Sequence, residues 1–175
     1  MKKLTTFLIS GLALVGCAST KIDARPVTGF DADRYLGKWY EIARLDHKFE
    51  RGMTDVTATY SLRDGGKLTV MNRGFKRKKG KFKDAKGKAK FEDARTTGHL
   101  KVSFFGPFYG DYIIFGLDKE NYSYAYISGG KDKYLWLLAR TPTVSDAVKQ
   151  DFLTRSRALG YETDGLIWVP QTRGE

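Results

Sequence analysis

The sequence predicts an all-β fold: an eight-stranded antiparallel up-and-down β-barrel with one C-terminal α-helix packed outside it and a short final strand. Three observations carry this. From Gly37 onward, short segments alternate apolar and polar residues, the period of a strand with one buried face. Turn residues separate these segments at short intervals, which makes successive strands antiparallel neighbours. Only the stretch after Pro142 has the period of a helix. A meander of eight strands loses its exposed edges by closing on itself.

The strands are expected near 37–45, 53–62, 67–75, 86–93, 98–105, 110–117, 122–128 and 133–140. Arg63-Asp-Gly-Gly-Lys67 and Ser128-Gly-Gly-Lys-Asp132 are glycine-rich hairpin signals, and Asp118-Lys-Glu-Asn121 is a tight turn. The helix starts near Pro142, with Thr143 or Ser145 as its cap. Val144, Ala147, Val148, Phe152 and Leu159 share one face, and Gly160 ends it. Leu166-Ile-Trp-Val169 forms the last strand.

The N-terminus has a different character. Met1-Lys2-Lys3 precedes an apolar run from Leu4 to Val15, too short for a ~30 Å hydrocarbon core. This is the layout of a secretory leader, expected at 1–16. Leu14-Val15-Gly16-Cys17 resembles a bacterial lipobox, which implies cleavage before Cys17 and acylation of that residue. One acyl chain binds marginally, at ~0.8 kcal/mol per buried methylene, whereas two or more anchor stably. Ala18 follows, with no aspartate to signal inner-membrane retention, so the resemblance points to the outer membrane, periplasmic face. Residues 17–30 read as a lipidated tether, 31–171 as the barrel domain and 172–175 as a tail.

Formal charge is +11, and removal of the leader leaves +9. Residues 75–90 hold nine basic residues and one acid, so the excess is a patch. Either it is a solvated face that aids solubility, or it attracts anionic headgroups in a salt-dependent way.

Alternation assigns an inner face to Ala43, Ala58, Tyr60, Val70, Asn72, Ala89, Phe91, Val102, Phe104, Trp136 and Leu138, with Tyr124 and Tyr126 as further candidates. Such a set is greasy and poor in ionisable groups. An eight-stranded barrel is either filled by side chains or holds one small ligand. The small residues Ala43, Ala58, Gly74 and Ala89 favour a cavity. If the first strand starts at the closed end, the connections after strands one, three, five and seven form the mouth. Lys76, Arg77, Lys78, Lys79, Phe108 and Tyr109 then ring it, which suits an apolar tail with an anionic head.

Gly37-Lys38-Trp39-Tyr40, opening the first strand, resembles the lipocalin signature Gly-x-Trp-Tyr. Leu137-Leu138-Ala139-Arg140 resembles the family's closing arginine motif, and of the Thr-Asp-Tyr turn motif only Asp118 is kept. Tyr35–Arg44, Phe49–Gly52, Val102–Gly110 and Leu135–Pro142 are similar to the bacterial outer-membrane lipoprotein branch of the lipocalins, to which apolipoprotein D is related. The resemblance implies that Arg140 packs across Trp39 and shuts the barrel floor. It also implies binding of fatty acids or phospholipids, with lysophospholipids preferred, in envelope upkeep under stress, and it allows a homodimer. The lysine-rich stretch is more basic than that branch leads one to expect.

No cofactor or metal is expected. The chain has two histidines, His47 and His99, and no Gly-x-Ser-x-Gly elbow, His-Glu-x-x-His or phosphate loop. His47 and Glu50 read as solvated loop neighbours, and Glu41 as a hydrogen-bonded structural acid near the floor. A lipobox compartment keeps the chain away from nucleic acid. Two rivals stay open: a structural envelope lipoprotein with a filled barrel, and an enzyme acting on lipids through Glu41.

Overall fold

The computed structural model describes residues 19–173; the leader at 1–16 and Cys17 lie outside them. The alternating segments form β1 (Gly37–Arg44), β2 (Met53–Leu62), β3 (Leu68–Lys76), β4 (Lys81–Phe91), β5 (His99–Phe105), β6 (Phe108–Leu117), β7 (Tyr124–Ser128) and β8 (Leu135–Ala139). Each pairs antiparallel with the next. β8 returns to β1 through Tyr40↔Ala139, so the eight strands close into a barrel.

β4 begins at Lys81 rather than near 86. The β3–β4 register runs to Lys76↔Lys81, and the turn between them is only a 3-10 turn at Arg77–Lys79 followed by Gly80. Gly80 has φ 60°, which a residue without a Cβ adopts freely. Most of the basic run is therefore strand, and the exposed residues 83–86 overhang the barrel rather than cover it.

A four-residue helix, α1 (Ala32–Tyr35), precedes β1 and was not foreseen. Asp31 Oδ1 accepts from Asp33 N at 3.0 Å and Arg34 N at 3.3 Å, which caps it and directs Tyr35 into the closed end of the barrel. The stretch before it is no free tether. Ile22 N donates to Gly130 O, Val27 N to Ile114 O and Phe30 N to Thr96 O, so the segment straps the outer wall from one end to the other. The reason lies in its own side chains: Ile22 and Ala24 are buried against that wall, and Phe30 is buried in the floor cluster at the closed end.

α2 (Asp146–Ala158) lies across the outer face, its N-terminus capped by Ser145 Oγ at 3.3 Å from Val148 N. Phe152 is fully buried there with Tyr126, Leu137 and Ala139. Tyr126 thus faces the helix, where its hydroxyl donates to Asp151 Oδ2 at 3.0 Å. Tyr124 stacks beside it, so neither tyrosine lines the interior. Ala43 is also outside. A register shift between Glu41 and Ala43 turns it out of alternation and into the cluster under α2.

The final strand, β9 (Ile167–Trp168), adds to β1 through Ala43↔Trp168, beyond the last β1–β2 pair. The following chain is clamped by Asp55, whose Oδ1 accepts from Thr172 N and Arg173 N, each at 2.6 Å. Burial pushes the Asp55 carboxyl up, but these bonds and that of Thr54 Oγ1 outweigh it and hold it below its ordinary value near 3.8. A carboxyl depressed by folding contributes stability above its ordinary value and loses it as pH falls through the folded one. Asp55→Ala should therefore free residues 170–173, seen as faster amide exchange there at neutral pH. In the native protein the same amides should open first on acidification.

Candidate ligand-binding site

The barrel interior has a floor, an apolar wall and a polar flank. At the floor Trp39 is fully buried. Arg140 Cζ lies 3.9 Å from its ring centroid, and Trp39 Nε1 donates to Tyr35 O at 2.9 Å. Arg140 also donates to Lys38 O at 2.9 Å and Arg34 O at 2.7 Å. A cation on an indole face contributes ~0.5–2 kcal/mol as desolvation increases. The guanidinium thus sews β1, α1 and β8 together across the closed end. Asp118 holds the nearby β6–β7 turn by accepting from Glu120 N, Asn121 N and Ser123 Oγ.

Above the indole sit three tyrosines. Tyr112 Oη lies 2.7 Å from both Tyr35 Oη and Tyr60 Oη. Burial pushes all three phenols up, so they stay neutral and share protons as hydrogen bonds. Tyr60 was expected on the inner face, but its partners Tyr35 and Tyr112 were not. Shared parity with Ile114 could have placed Tyr112; nothing in the pattern placed Tyr35, which comes from α1.

The wall carries Ala58, Val70, Ala89, Val102, Phe104, Trp136 and Leu138 around one cluster. Asn72 pairs with Ala58 and follows Val70 on the same face, and its Oδ1 is buried without a hydrogen-bond partner among the described residues. Phe91 is lower, 6.2 Å from Phe30, and belongs to the floor. Phe104 lies across Gly87, where any Cβ would come within 2.8 Å of its ring. The space expected beside Gly74 is filled: a Cβ there would stand 2.9 Å from Met53 Sδ. Higher in the barrel Asn72, Val102, Phe104, Tyr112 and Trp136 remain only half-buried.

The polar flank is the main feature that alternation missed. The β1 register shift that expels Ala43 brings Arg44 inward beside Glu41, and both are almost fully buried. Arg44 Nη1 donates to Glu41 Oε1 at 2.6 Å, while Nη2 donates to Glu50 O and Met53 O at 2.9 and 3.1 Å. His47 Nε2 lies 3.0 Å from Glu50 Oε2, and Trp136 Nε1 donates to that oxygen at 3.2 Å. His47 and Glu50 are therefore neighbours as expected, yet buried rather than solvated, because the β1–β2 connection folds in over the barrel. Burial and the nearby Glu50 push the Glu41 carboxyl well up, and Arg44 only partly offsets this. Burial also raises Glu50, but His47 and Trp136 outweigh it and leave Glu50 below its ordinary value.

At the mouth, Lys76, Arg77, Lys78 and Lys79 form the β3–β4 tip and Phe108 stands 78% exposed at the β5–β6 tip. Tyr109 does not line the mouth. Its ring lies 5.5 Å from Lys88 Nζ and 5.3 Å from Lys90 Nζ, both on the outer face of β4.

Residues 30–171 match the model of the Lipocalin-like domain. The chain belongs to the lipocalin family. Its relatives include "Outer membrane lipoprotein Blc" of Vibrio cholerae, 51% identical over 94% of this chain and 96% of that one. A protein of the same name from Escherichia coli K12 is 52% identical over 90% of each. Apolipoprotein D of the mouse is more distant, at 33% over 65% of this chain and 62% of its own. Among solved structures, insecticyanin from the tobacco hornworm Manduca sexta superposes with a TM-score of 0.72 at 21% identity, covering 88% of this chain and 87% of that one. A lipocalin binds small molecules rather than transforming them, and this lipocalin is a binding protein and not an enzyme. Glu41 accordingly serves as the structural partner of Arg44.

Proposed function

We propose that this lipocalin is an outer-membrane lipoprotein, anchored through acylated Cys17 on the periplasmic face, that holds a fatty acid or phospholipid inside its barrel. The half-buried apolar wall above a sealed aromatic floor carries this reading. An acyl chain lowered against Val70, Val102, Phe104 and Trp136 gains ~25 cal/mol per Å2 of apolar surface buried, less the cost of ordering it. Ala58, Ala89 and Leu138 set the depth it reaches. The unpartnered Asn72 Oδ1 suits a hydroxyl on the glycerol of a lysophospholipid, which favours that ligand over a plain fatty acid. The basic tip Lys76–Lys79 then faces the anionic head. Storage or transport of such lipids serves envelope maintenance under stress.

Trp136 reports this directly. A lysophospholipid brominated along its chain should quench tryptophan emission saturably, and Trp136→Phe should remove most of that quenching in a protein that still unfolds cooperatively. Quenching that is linear in lipid and indifferent to Trp136 would contradict occupancy of the barrel.

A further inference from the structure

The strap along the outer wall fixes the end of the barrel at which the described chain starts. Thr20 N donates to Asp132 Oδ2 at 2.9 Å, and Asp132 N donates back to Thr20 O at 3.0 Å. Asp132 belongs to the β7–β8 connection, on the open side of the barrel. Ser19, where the described residues begin, directly precedes this latch, so the described chain starts at the mouth and not under the floor.

The chemistry of that rim points the same way. Phe105 and Phe108, flanking the β5–β6 tip, are 72% and 78% exposed. Phe49, in the β1–β2 connection, is 52% exposed. At the closed end only Leu62 is a comparably exposed large apolar side chain among the described residues. At the same open end Lys76, Arg77, Lys78 and Lys79 make no ion pair among the described residues. Exposed aromatic side chains and unpaired cations at one end of the barrel match the two layers of an anionic membrane surface, acyl boundary and headgroup phosphates. A second copy of the chain fits less well, since two such rims would repel.

We infer that the open rim is a membrane-docking face. Phe105 and Phe108 enter the interface of the anchoring bilayer, the Lys76–Lys79 tip meets its phosphates, and the barrel mouth opens onto lipid. Ligand then passes between bilayer and barrel with little exposure to water. This rests on the acyl anchor proposed above, and intact mass of the mature protein reports acylation separately.

The test is amide exchange on the mature lipoprotein in nanodiscs of phosphatidylethanolamine and phosphatidylglycerol, compared with detergent. Exchange should slow at 77–80 and 105–108 and stay unchanged in the closed-end turns at 63–67, 92–98 and 118–123. Phe105→Ser with Phe108→Ser should abolish the protection at 105–108. Both side chains are largely exposed, so folding is spared. Charge reversal of Lys78 and Lys79 should remove the protection at 77–80 and its dependence on phosphatidylglycerol. Protection of the closed-end turns, or none at either end of an acylated protein, would overturn the proposal. So would protection of the rim that rises with protein concentration without lipid, which would assign the face to a second copy.

Discussion

Trp39→Ala should lower unfolding stability by about 3–5 kcal/mol, the range for emptying a site filled by a large aromatic. The indole is fully buried, so its removal leaves a hole that the closed barrel cannot collapse into without bending β1. Two further losses come with it. The Nε1 bond to Tyr35 O disappears, which loosens α1, and Arg140 loses the face it covers. Arg140→Ala should cost less, because that side chain is half-buried and its carbonyl partners can reach water. Urea unfolding of both variants gives the order. A Trp39→Ala protein as stable as the native one would mean that the floor is not what closes this barrel.

The second large effect is expected at Arg44, the one guanidinium sealed inside the barrel wall among the described residues. Arg44→Met keeps the volume but leaves Glu41 buried without its counter-charge and two carbonyls without their donor. Breaking one side of such a pair costs about 3–5 kcal/mol, whereas replacing both partners is nearly neutral. The double variant Glu41→Gln, Arg44→Met should thus recover the part of the loss that comes from the unpaired charge, while the two carbonyls stay without their donor. pH separates this from a packing defect. Burial already pushes Glu41 up from its ordinary value near 4.5, and the loss of Arg44 pushes it further. A raised carboxyl stabilises the fold while protonated, fully below its ordinary value, and this is lost as pH rises through the folded value. The Arg44→Met penalty should therefore be small near about pH 4 and grow towards about pH 7.5. A penalty independent of pH would assign the damage to packing alone.

What alternation revealed and what it hid have one physical source. Period-two patterning reports a strand wherever one face is buried, so every barrel strand but β4 falls where the sequence places it, to within two residues, but it assigns faces correctly only while the register is regular. It fails at the β1 register shift, which sends Ala43 outward and Arg44 inward. That single irregularity conceals the polar flank. Lysines misled in the other direction: on an overhanging hairpin both faces are wet, so no alternation marks β4 before Gly87. Tyr124 and Tyr126 are apolar enough for either face, and only α2 decides between them. Trp39 and Arg140 were legible because the residues around them resemble the family's Gly-x-Trp-Tyr and closing-arginine motifs, and the stacked pair is found where that resemblance puts it. The strap was not, because its hydrogen bonds are made by backbone and its buried side chains are few.

Organic extraction of the purified protein, followed by mass spectrometry, reads the contents of the barrel most directly. The native chain should release fatty acid or (lyso)phospholipid, approaching about one molecule per barrel. Val102→Trp, which fills the wall beside Phe104, should release almost none while still folding. A native protein that yields no lipid, and takes up none when offered lysophospholipid after refolding, would show that the barrel is filled by its own side chains.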